Sequence, residues 1–350
     1  MSAGSSINLM IVDDSRVIRN SLKDIIGQDP SIKLIAEAAN GQEAVDQLSS
    51  NRSIDVILLD IQMPVMDGLE AIPLLLKIKP KVKIIIVSSL SARGAKITLD
   101  ALSLGATDYI EKLKSKENLE KFKVDLLLKI HILGKVIDDV KRPILSDNES
   151  EITLKEMPKD FKPSIIAIAS STGGPKALID VLDGLSQGFL SNNIILITQH
   201  IKNDFVDLLV SNINDIGKIN CKKAEDNEIL KKGIVYLAPS NSHLEVQRKN
   251  DNLVVHLSDE PPENFCRPSA DPMFASLAKL SLKILAIVLT GIGKDGLRGA
   301  ENLADKDNVI IAQNKETSVV WGMPGSVARA GICSAILPLN KIASFIEKGV

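Results

Sequence analysis

Short apolar runs alternate with amphipathic stretches along the whole of this 350-residue chain. The apolar runs are rich in Val and Ile, whereas the stretches between them repeat apolar residues every three or four positions. Continuous apolar strands are typical of parallel sheets, because helices cover both faces of such a sheet. The pattern therefore predicts an α/β protein throughout.

The first half of the chain contains five of these runs, with helix-period segments such as 17–28 and 41–49 between them. The predicted strands are Asn8–Val12, Leu34–Ala38, Val56–Leu59, Ile84–Val87 and Asp108–Ile110. A last helix is predicted over residues 116–137. Five strands alternating with five helices predict a doubly wound domain of the flavodoxin-like type.

A charged segment with little apolar pattern, residues 138–162, separates the two halves and is predicted to be a linker. This places a first domain at 1–137 and a second at 163–350. The strands predicted in the second domain are Ile165–Ala169, Asn193–Gln199, Ile234–Ala238, Leu285–Thr290 and Asn308–Ala312, with an antiparallel pair at His243–Val246 and Leu253–Leu257. A second doubly wound, mostly parallel α/β domain is expected.

Composition narrows the classes of function. The net charge is −2 and only ten residues are aromatic, so neither a basic surface nor stacking platforms for nucleic acid are expected. The three cysteines are too widely spaced for a zinc site or a disulfide framework, which favours a reducing compartment. The apolar runs are too short to span a bilayer, and residues 1–8 lack a signal-peptide core. We expect a cytoplasmic protein without membrane insertion.

Polar residues follow the predicted strands of the first domain. Asp13 and Asp14 come after the first strand, Asp60 after the third, Ser88 after the fourth and Lys112 after the fifth. Because parallel strands end at one edge of the sheet, these side chains are expected to converge. Three carboxylates together favour Mg²⁺, a carboxylate can attack phosphorus, and a lysine and a hydroxyl can hold phosphoryl oxygens.

On these residues the chain resembles the response-regulator receiver family over roughly residues 7–125. The resemblance implies that Asp60 is the phosphorylation site, that Asp13 and Asp14 help to bind Mg²⁺, and that Ser88 and Lys112 contact the phosphoryl group. It also implies that a histidine kinase is the phosphodonor. Tyr109 matches the aromatic residue that changes rotamer on activation. Leu113 stands where the family usually has proline, so the cis bond often found there is not expected, since it would cost about 3 kcal/mol.

The second domain begins with a strand that runs through Ser170, Ser171 and Thr172 into two glycines and a helix. Such a turn presents a hydroxyl at the sheet edge, near the positive end of the helix. The Rossmann and P-loop fingerprints are absent, which favours a nucleophile over phosphate binding.

A serine nucleophile needs a base and an orienting acid. His200 closes the next predicted strand, about one βαβ unit after Ser171, so the two can meet at one sheet edge. Asp295 follows a later strand in a glycine-rich turn whose amides suit an oxyanion hole. His243 and His256 lie by the antiparallel pair, where a structural role is expected.

These residues make 163–350 similar to the catalytic domain of the chemotaxis protein-glutamate methylesterases. The stretches that carry the similarity are Ala169–Gly174, Gln199–His200, Arg267–Asp271, Leu289–Gly296 and Ala312–Pro324. The resemblance implies a nucleophile Ser171, a base His200 and an acid Asp295 without a cofactor, with Thr172 and the Ile292 loop supporting the oxyanion. Ser170 replaces the usual alanine and Ile292 the usual methionine.

The resemblance implies hydrolysis of glutamate methyl esters on the cytoplasmic domains of chemoreceptors, with glutamine deamidation, activated when the receiver is phosphorylated. An alternative is a phospho-regulated docking module on receptors that performs no turnover. A receiver fused to a nucleotide-binding or transcription-factor domain is disfavoured, because a basic patch and a helix-turn-helix tail are absent.

Overall fold

The computed structural model describes residues 6–88, 92–112, 119–141, 152–159, 161–304 and 307–348. The chain separates into two compact units, Met1–Asp147 and Asn148–Val350, and each is considered by itself. Leu113 lies outside the described residues, as does part of the segment predicted to be a linker. Residues 152–159 and Phe161 belong to the second unit, where the Phe161 ring is fully buried and the Lys155 amide donates to the carbonyl of Cys333 at 2.8 Å.

The first unit is a five-stranded parallel sheet in the order β2-β1-β3-β4-β5, which confirms the flavodoxin-like prediction. Its elements are β1 (Ile7–Val12), α1 (Arg16–Ile26), β2 (Ile32–Ala38), α2 (Gly41–Ser50), β3 (Val56–Leu59), α3 (Gly68–Ile78), β4 (Lys83–Ser88), α4 (Ala92–Ser103), β5 (Asp108–Glu111) and α5 (Leu119–Lys141). All four residues of β3 are buried, as expected of a central strand covered on both faces.

The second unit contains a seven-stranded parallel sheet in the order β14-β13-β12-β6-β7-β9-β8, and a separate antiparallel pair, β10-β11. Its elements are β6 (Ile165–Ser170), α6 (Gly174–Asp183), α7 (Gln187–Asn192), β7 (Ile194–Gln199), α8 (Asn203–Asn214), β8 (Cys221–Lys223), β9 (Val235–Leu237), β10 (His243–Lys249), β11 (Asn252–Ser258), α9 (Ala270–Ala278), β12 (Ile284–Val288), α10 (Leu297–Ala304), β13 (Val309–Gln313), α11 (Met323–Arg329), β14 (Ala335–Leu337) and α12 (Leu339–Glu347).

The strand order reverses direction between β6 and β12. From β6 the chain continues to β7 on one side, and later crosses to β12 on the other. Crevices at such reversal points, beyond the carboxyl ends of the strands, are where open α/β sheets place their sites. The ends of β6, β7 and β12 are therefore neighbours.

Candidate functional site

In the first unit the three predicted carboxylates come together. Asp13, Asp14 and Asp60 each place an oxygen within 4.8 Å of the others, with Asp13 and Asp60 buried and Asp14 exposed. The Lys112 Nζ lies 3.0 Å from Asp13 Oδ2 and 2.8 Å from Asp60 Oδ2. The structure therefore brings four of the five predicted side chains into one cluster.

Burial raises the pKa of Asp60, and the neighbouring Asp13 charge adds to this effect, while Lys112 opposes it. Burial would lower the pKa of Lys112, but its ion pairs with the Asp60 and Asp13 carboxylates raise it. Asp13 Oδ2 is paired with Lys112 yet has no well-directed hydrogen bond. A concentrated set of oxygen ligands with unmet bonding capacity fits a hard cation such as Mg²⁺.

Ser88 and Tyr109 lie on the two strands beside this cluster. Ser88 ends β4, is buried, and its carbonyl accepts a hydrogen bond from the Lys112 amide at 2.8 Å. On β5, the Tyr109 ring lies under the Lys129 ammonium, 5.5 Å from the ring centroid. Ser88 is thus at the same edge of the sheet as Lys112, as the strand ends predicted.

In the second unit, Ser171 lies in the tight turn between β6 and α6. Gly173 has φ 76°, a left-handed conformation that glycine adopts without strain. The Ser171 amide donates a hydrogen bond to the carbonyl of Thr290 at 3.0 Å. A Cβ on Gly291 would lie only 2.8 Å from the Ser171 Cβ. The loop after β12 therefore lies directly against Ser171, and the close approach requires glycine at 291.

Ser170 is fully buried, and its hydroxyl donates to Gln199 Oε1 at 2.6 Å. The Gln199 amide in turn donates to the carbonyls of Ser171 at 2.9 Å and His200 at 3.0 Å. One buried side chain thus joins the ends of β6 and β7. Ser171 is half-buried, so its hydroxyl is the more accessible of the two serine hydroxyls.

His200 and Asp295 form a direct pair, with Nε2 2.7 Å from Oδ2. Asp295 is buried and accepts hydrogen bonds from Ser269 Oγ at 2.5 Å, the Ala270 amide at 2.7 Å and Asn264 Nδ2 at 3.0 Å. Burial would raise the pKa of Asp295, but the hydrogen bonds to His200, to the Ala270 amide and to Ser269 at the start of α9 lower it to about 2. Asp295 is therefore a fixed negative charge against the imidazole.

The second ring nitrogen of His200, Nδ1, lies 3.5 Å from Cys266 Sγ. Among the described residues the ring is hydrogen bonded to Asp295 and Cys266, and not to the Ser171 hydroxyl. The sequence predicted that Ser171, His200 and Asp295 lie within hydrogen-bonding distance of one another. The structure pairs His200 with Asp295 and places Ser171 at the end of the adjoining strand. Such bonds are often long in unliganded sites and tighten when substrate binds.

The remaining histidines have other partners. His243 is fully buried between the Pro261 carbonyl and the Ser269 amide, at 3.2 and 3.1 Å. His131 pairs with Asp29 at 2.6 Å, and His256 lies 3.7 Å from Asp226. His200 is thus the histidine that the fold brings to the Ser171 edge.

Thr172 and Ile292 also lie at this edge. Thr172 is buried, and its carbonyl accepts a hydrogen bond from the Thr290 hydroxyl at 2.9 Å. Ile292 is half-buried and directly follows Gly291. Both backbone segments are next to Ser171, and their role as oxyanion donors stays a prediction.

Four residues with structural partners at this site were not predicted from the sequence: Gln199, Asn264, Cys266 and Ser269. Ser269 had a detectable signal, because a serine before a helical pattern is a common N-cap, and its Oγ does accept the Asp271 amide. Nothing local indicates that the same hydroxyl also holds Asp295, which is 26 residues away. A hydroxyl, an imidazole and a carboxylate at adjoining strand ends form the set used for acyl transfer by serine.

None of the helices among the described residues is both long and apolar enough to cross a lipid bilayer.

Comparisons with known proteins agree with this architecture. Residues 166–346 match the CheB methylesterase family and residues 9–122 match the response regulator receiver domain. The chain is 42% identical to a protein-glutamate methylesterase/protein-glutamine glutaminase of Azospirillum brasilense, over 99% of this chain and 93% of that protein. It is 40% identical to one from Caulobacter vibrioides, over 97% and 98% of the two chains.

The crystal structure of the Thermotoga maritima CheB methylesterase catalytic domain matches the chain with a TM-score of 0.51 at 34% identity, covering 53% of this chain and 98% of that one. The chain therefore belongs to the CheB methylesterase family, with a response regulator receiver domain preceding the methylesterase domain.

Proposed function

We propose that this chain hydrolyses the γ-methyl esters of glutamate side chains on chemoreceptor cytoplasmic domains, and deamidates glutamines there, under the control of receiver phosphorylation. Its relatives carry the name protein-glutamate methylesterase/protein-glutamine glutaminase. The observation that carries the proposal is the His200–Asp295 pair beside the Ser171 turn, at the ends of three adjacent strands.

In the proposed reaction the Ser171 oxygen attacks the ester carbonyl while His200 takes the hydroxyl proton. The tetrahedral oxyanion is held by backbone amides of the Thr172 and Ile292 segments. Collapse breaks the ester C–O bond, and the imidazolium returns its proton to the departing methoxide, which leaves as methanol. Water, activated by the same ring, then attacks the acyl-enzyme and frees the glutamate carboxylate and the serine.

In the proposed reaction Nδ1 of His200 takes the Ser171 proton, because Nε2 is bonded to Asp295. The Ser171 hydroxyl must therefore replace Cys266 as the partner of Nδ1 when substrate binds. No metal or organic cofactor is required for this sequence of steps.

The kcat/KM for ester hydrolysis is expected to rise with pH, and the midpoint of this rising limb should lie above the ordinary pKa of histidine. Burial would lower the pKa of His200, but its bonds to Asp295 and Cys266 raise it to about 10, and only the unprotonated ring acts as a base. Cys266→Ala is expected to shift the limb to lower pH, because it removes one of these bonds. The check is kcat/KM for receptor demethylation against pH; a limb unmoved by Cys266→Ala would contradict the assignment.

In the receiver we propose that Asp60 accepts a phosphoryl group from a histidine kinase. Asp13, Asp14 and Asp60 would hold Mg²⁺, which supplies positive charge that offsets the charge of the phosphoryl oxygens. Lys112 and the Ser88 hydroxyl would contact those oxygens. The three cysteines are free, which fits a reducing compartment such as the cytoplasm. The proposed kinase and the receptor cytoplasmic domains would contact the chain there.

Asp60→Asn is expected to leave basal methanol release intact and to remove its stimulation by a small phosphodonor with Mg²⁺, because an amide cannot form the acyl phosphate. Methanol release from methylated receptor membranes is measured with and without phosphodonor. Asp14→Asn is a milder control, in which stimulation should persist at a higher Mg²⁺ concentration. Full stimulation of the Asp60 variant would count against this residue as the acceptor.

A docking role without turnover is favoured by one observation, the missing hydrogen bond between Ser171 and His200. A fluorophosphonate probe separates the two functions, because it labels only an activated serine. Labelling of the wild-type chain and not of Ser171→Ala supports the hydrolase; an unlabelled wild-type chain supports docking.

A further inference from the structure

Phe265 is 103% exposed, more than any other large apolar side chain of the described residues, the next being Val65 at 84%. It lies in a two-residue turn closed by Glu263 and Cys266, whose amides and carbonyls exchange hydrogen bonds of 3.1 and 2.8 Å. A fully exposed ring buries no apolar surface on folding, so Phe265 does not contribute to the stability of the core.

The backbone of this turn is unfavourable for phenylalanine. Asn264 has φ 51° and Phe265 has φ 63°, so both central residues are left-handed, as in a type I′ turn. Asn followed by Gly is the preferred pair in such turns, and Asn264 fits the first position. A bulky residue at the second position is sterically disfavoured. The chain thus places a large apolar group where glycine would be the stable choice.

The turn is fastened to the catalytic groups themselves. Asn264 Nδ2 donates to Asp295 Oδ1 at 3.0 Å and to Asp271 Oδ2 at 2.7 Å. On the other side of Phe265, Cys266 Sγ lies 3.5 Å from His200 Nδ1. Glu263 also forms an ion pair with Arg298 of α10. Phe265 is therefore an apolar projection on a fastened backbone, one residue from a side chain that contacts the general base.

We propose that Phe265 is a substrate-positioning residue, which packs against an apolar side chain of the receptor segment next to the glutamate that carries the ester. This inference rests on the proposed function. The substrate is the expected occupant, because the residues on either side of Phe265 contact Asp295 and His200, the two groups proposed to activate Ser171. Because the backbone of the turn is already ordered, it loses little entropy on binding, which offsets its unfavourable conformation.

The test uses the full-length chain and methylated receptor membranes. Phe265→Ala is expected to lower kcat/KM about tenfold or more, mainly through KM, because an apolar contact of aromatic size is lost. Phe265→Leu should restore most of the loss. The rate of fluorophosphonate labelling of Ser171 should be the same in all three proteins, since the probe does not contact the receptor.

Phe265→Gly separates positioning from a structural role. Its Tm is expected to equal or exceed that of the wild-type chain, because glycine suits the left-handed backbone, while its kcat/KM falls as in Phe265→Ala. Ile229→Ala is a matched control, since Ile229 is also exposed, at 47%, but pairs with Val254 of β11; its kcat/KM should stay at the wild-type value.

Unchanged kcat/KM in Phe265→Ala, with an active wild-type chain, overturns the inference alone. Slower Ser171 labelling or a lower Tm in Phe265→Gly overturns it in favour of a structural role. Raised unstimulated hydrolysis in Phe265→Ala overturns it in favour of a contact made within the chain. A wild-type chain that releases no methanol from receptors overturns the proposed function, and the inference with it.

Discussion

Ser171→Ala is expected to lower methanol release from methylated receptors by about 10⁴-fold or more, to the background level of the assay. The hydroxyl oxygen is the atom that forms the acyl bond, and Ala leaves only the oxyanion donors and binding to accelerate the reaction. Methanol is measured after addition of phosphodonor, so that the most active form of the chain is compared. The same variant should fail to react with a fluorophosphonate.

Ser170→Ala is the matched control, because it removes a neighbouring hydroxyl of the same type. The Ser170 hydroxyl donates to Gln199 and is fully buried, so its loss leaves Gln199 Oε1 without this donor and is expected to cost about 1–3 kcal/mol of stability. Labelling of the serine should persist. If Ser170→Ala lost labelling and Ser171→Ala retained it, the nucleophile would be Ser170.

Asp295→Asn is expected to lower kcat by about 10⁴-fold with little change of the overall fold. An amide of the same shape no longer carries the charge that stabilises the imidazolium. The new amide group can also donate a hydrogen bond to the ring nitrogen that faced the carboxylate, which favours the wrong tautomer of His200. Asp295 is one of the groups that raise the pKa of His200. The pH profile of the residual activity should therefore have its rising limb at lower pH than that of the wild-type chain. Single-turnover measurements on receptor membranes give both quantities.

Asp271→Asn is the control for this charge. Asp271 is also buried, and it accepts the Gly299 amide at 2.7 Å and Asn264 Nδ2 at 2.7 Å, yet it has no contact with His200. Its burial, and the nearby Asp295, raise the pKa of Asp271. We expect Asp271→Asn to change Tm without the large fall in rate. An Asp295→Asn chain that kept more than about a tenth of the wild-type kcat would contradict the triad assignment.

The central strands could be predicted from the sequence because their burial on both faces demands continuous apolar runs. Val56–Leu59 is the same in the prediction and the structure, and Ile165–Ser170 differs by one residue. The antiparallel pair was also predicted, and it is confirmed by the register His243–Ser258. Two strands were missed, Cys221–Lys223 and Ala335–Leu337. Each has three residues and one is at either edge of the sheet, so neither is long enough to show a period.

The candidate residues could be predicted because parallel strands present their carboxyl ends at one edge. Asp13, Asp60 and Lys112 meet there in the first unit, and His200 and Asp295 in the second. The partners of these residues were harder to predict. Asn264, Cys266 and Ser269 belong to a loop and a helix cap, where no periodic pattern states which distant residue a polar side chain will face.

By itself the sequence determined two parallel α/β sheets, the strand ends that carry the acidic cluster and the Ser, His and Asp residues, and the family resemblance. Only the tertiary structure decided which ring nitrogen of His200 faces Asp295. It also decided that Cys266 contacts the other ring nitrogen and that the Ser170 hydroxyl donates to Gln199. The physical reason is that hydrophobic periodicity encodes burial relative to a sheet, whereas hydrogen-bond partners depend on distances between segments far apart in the chain, and those distances exist only after the layers have packed.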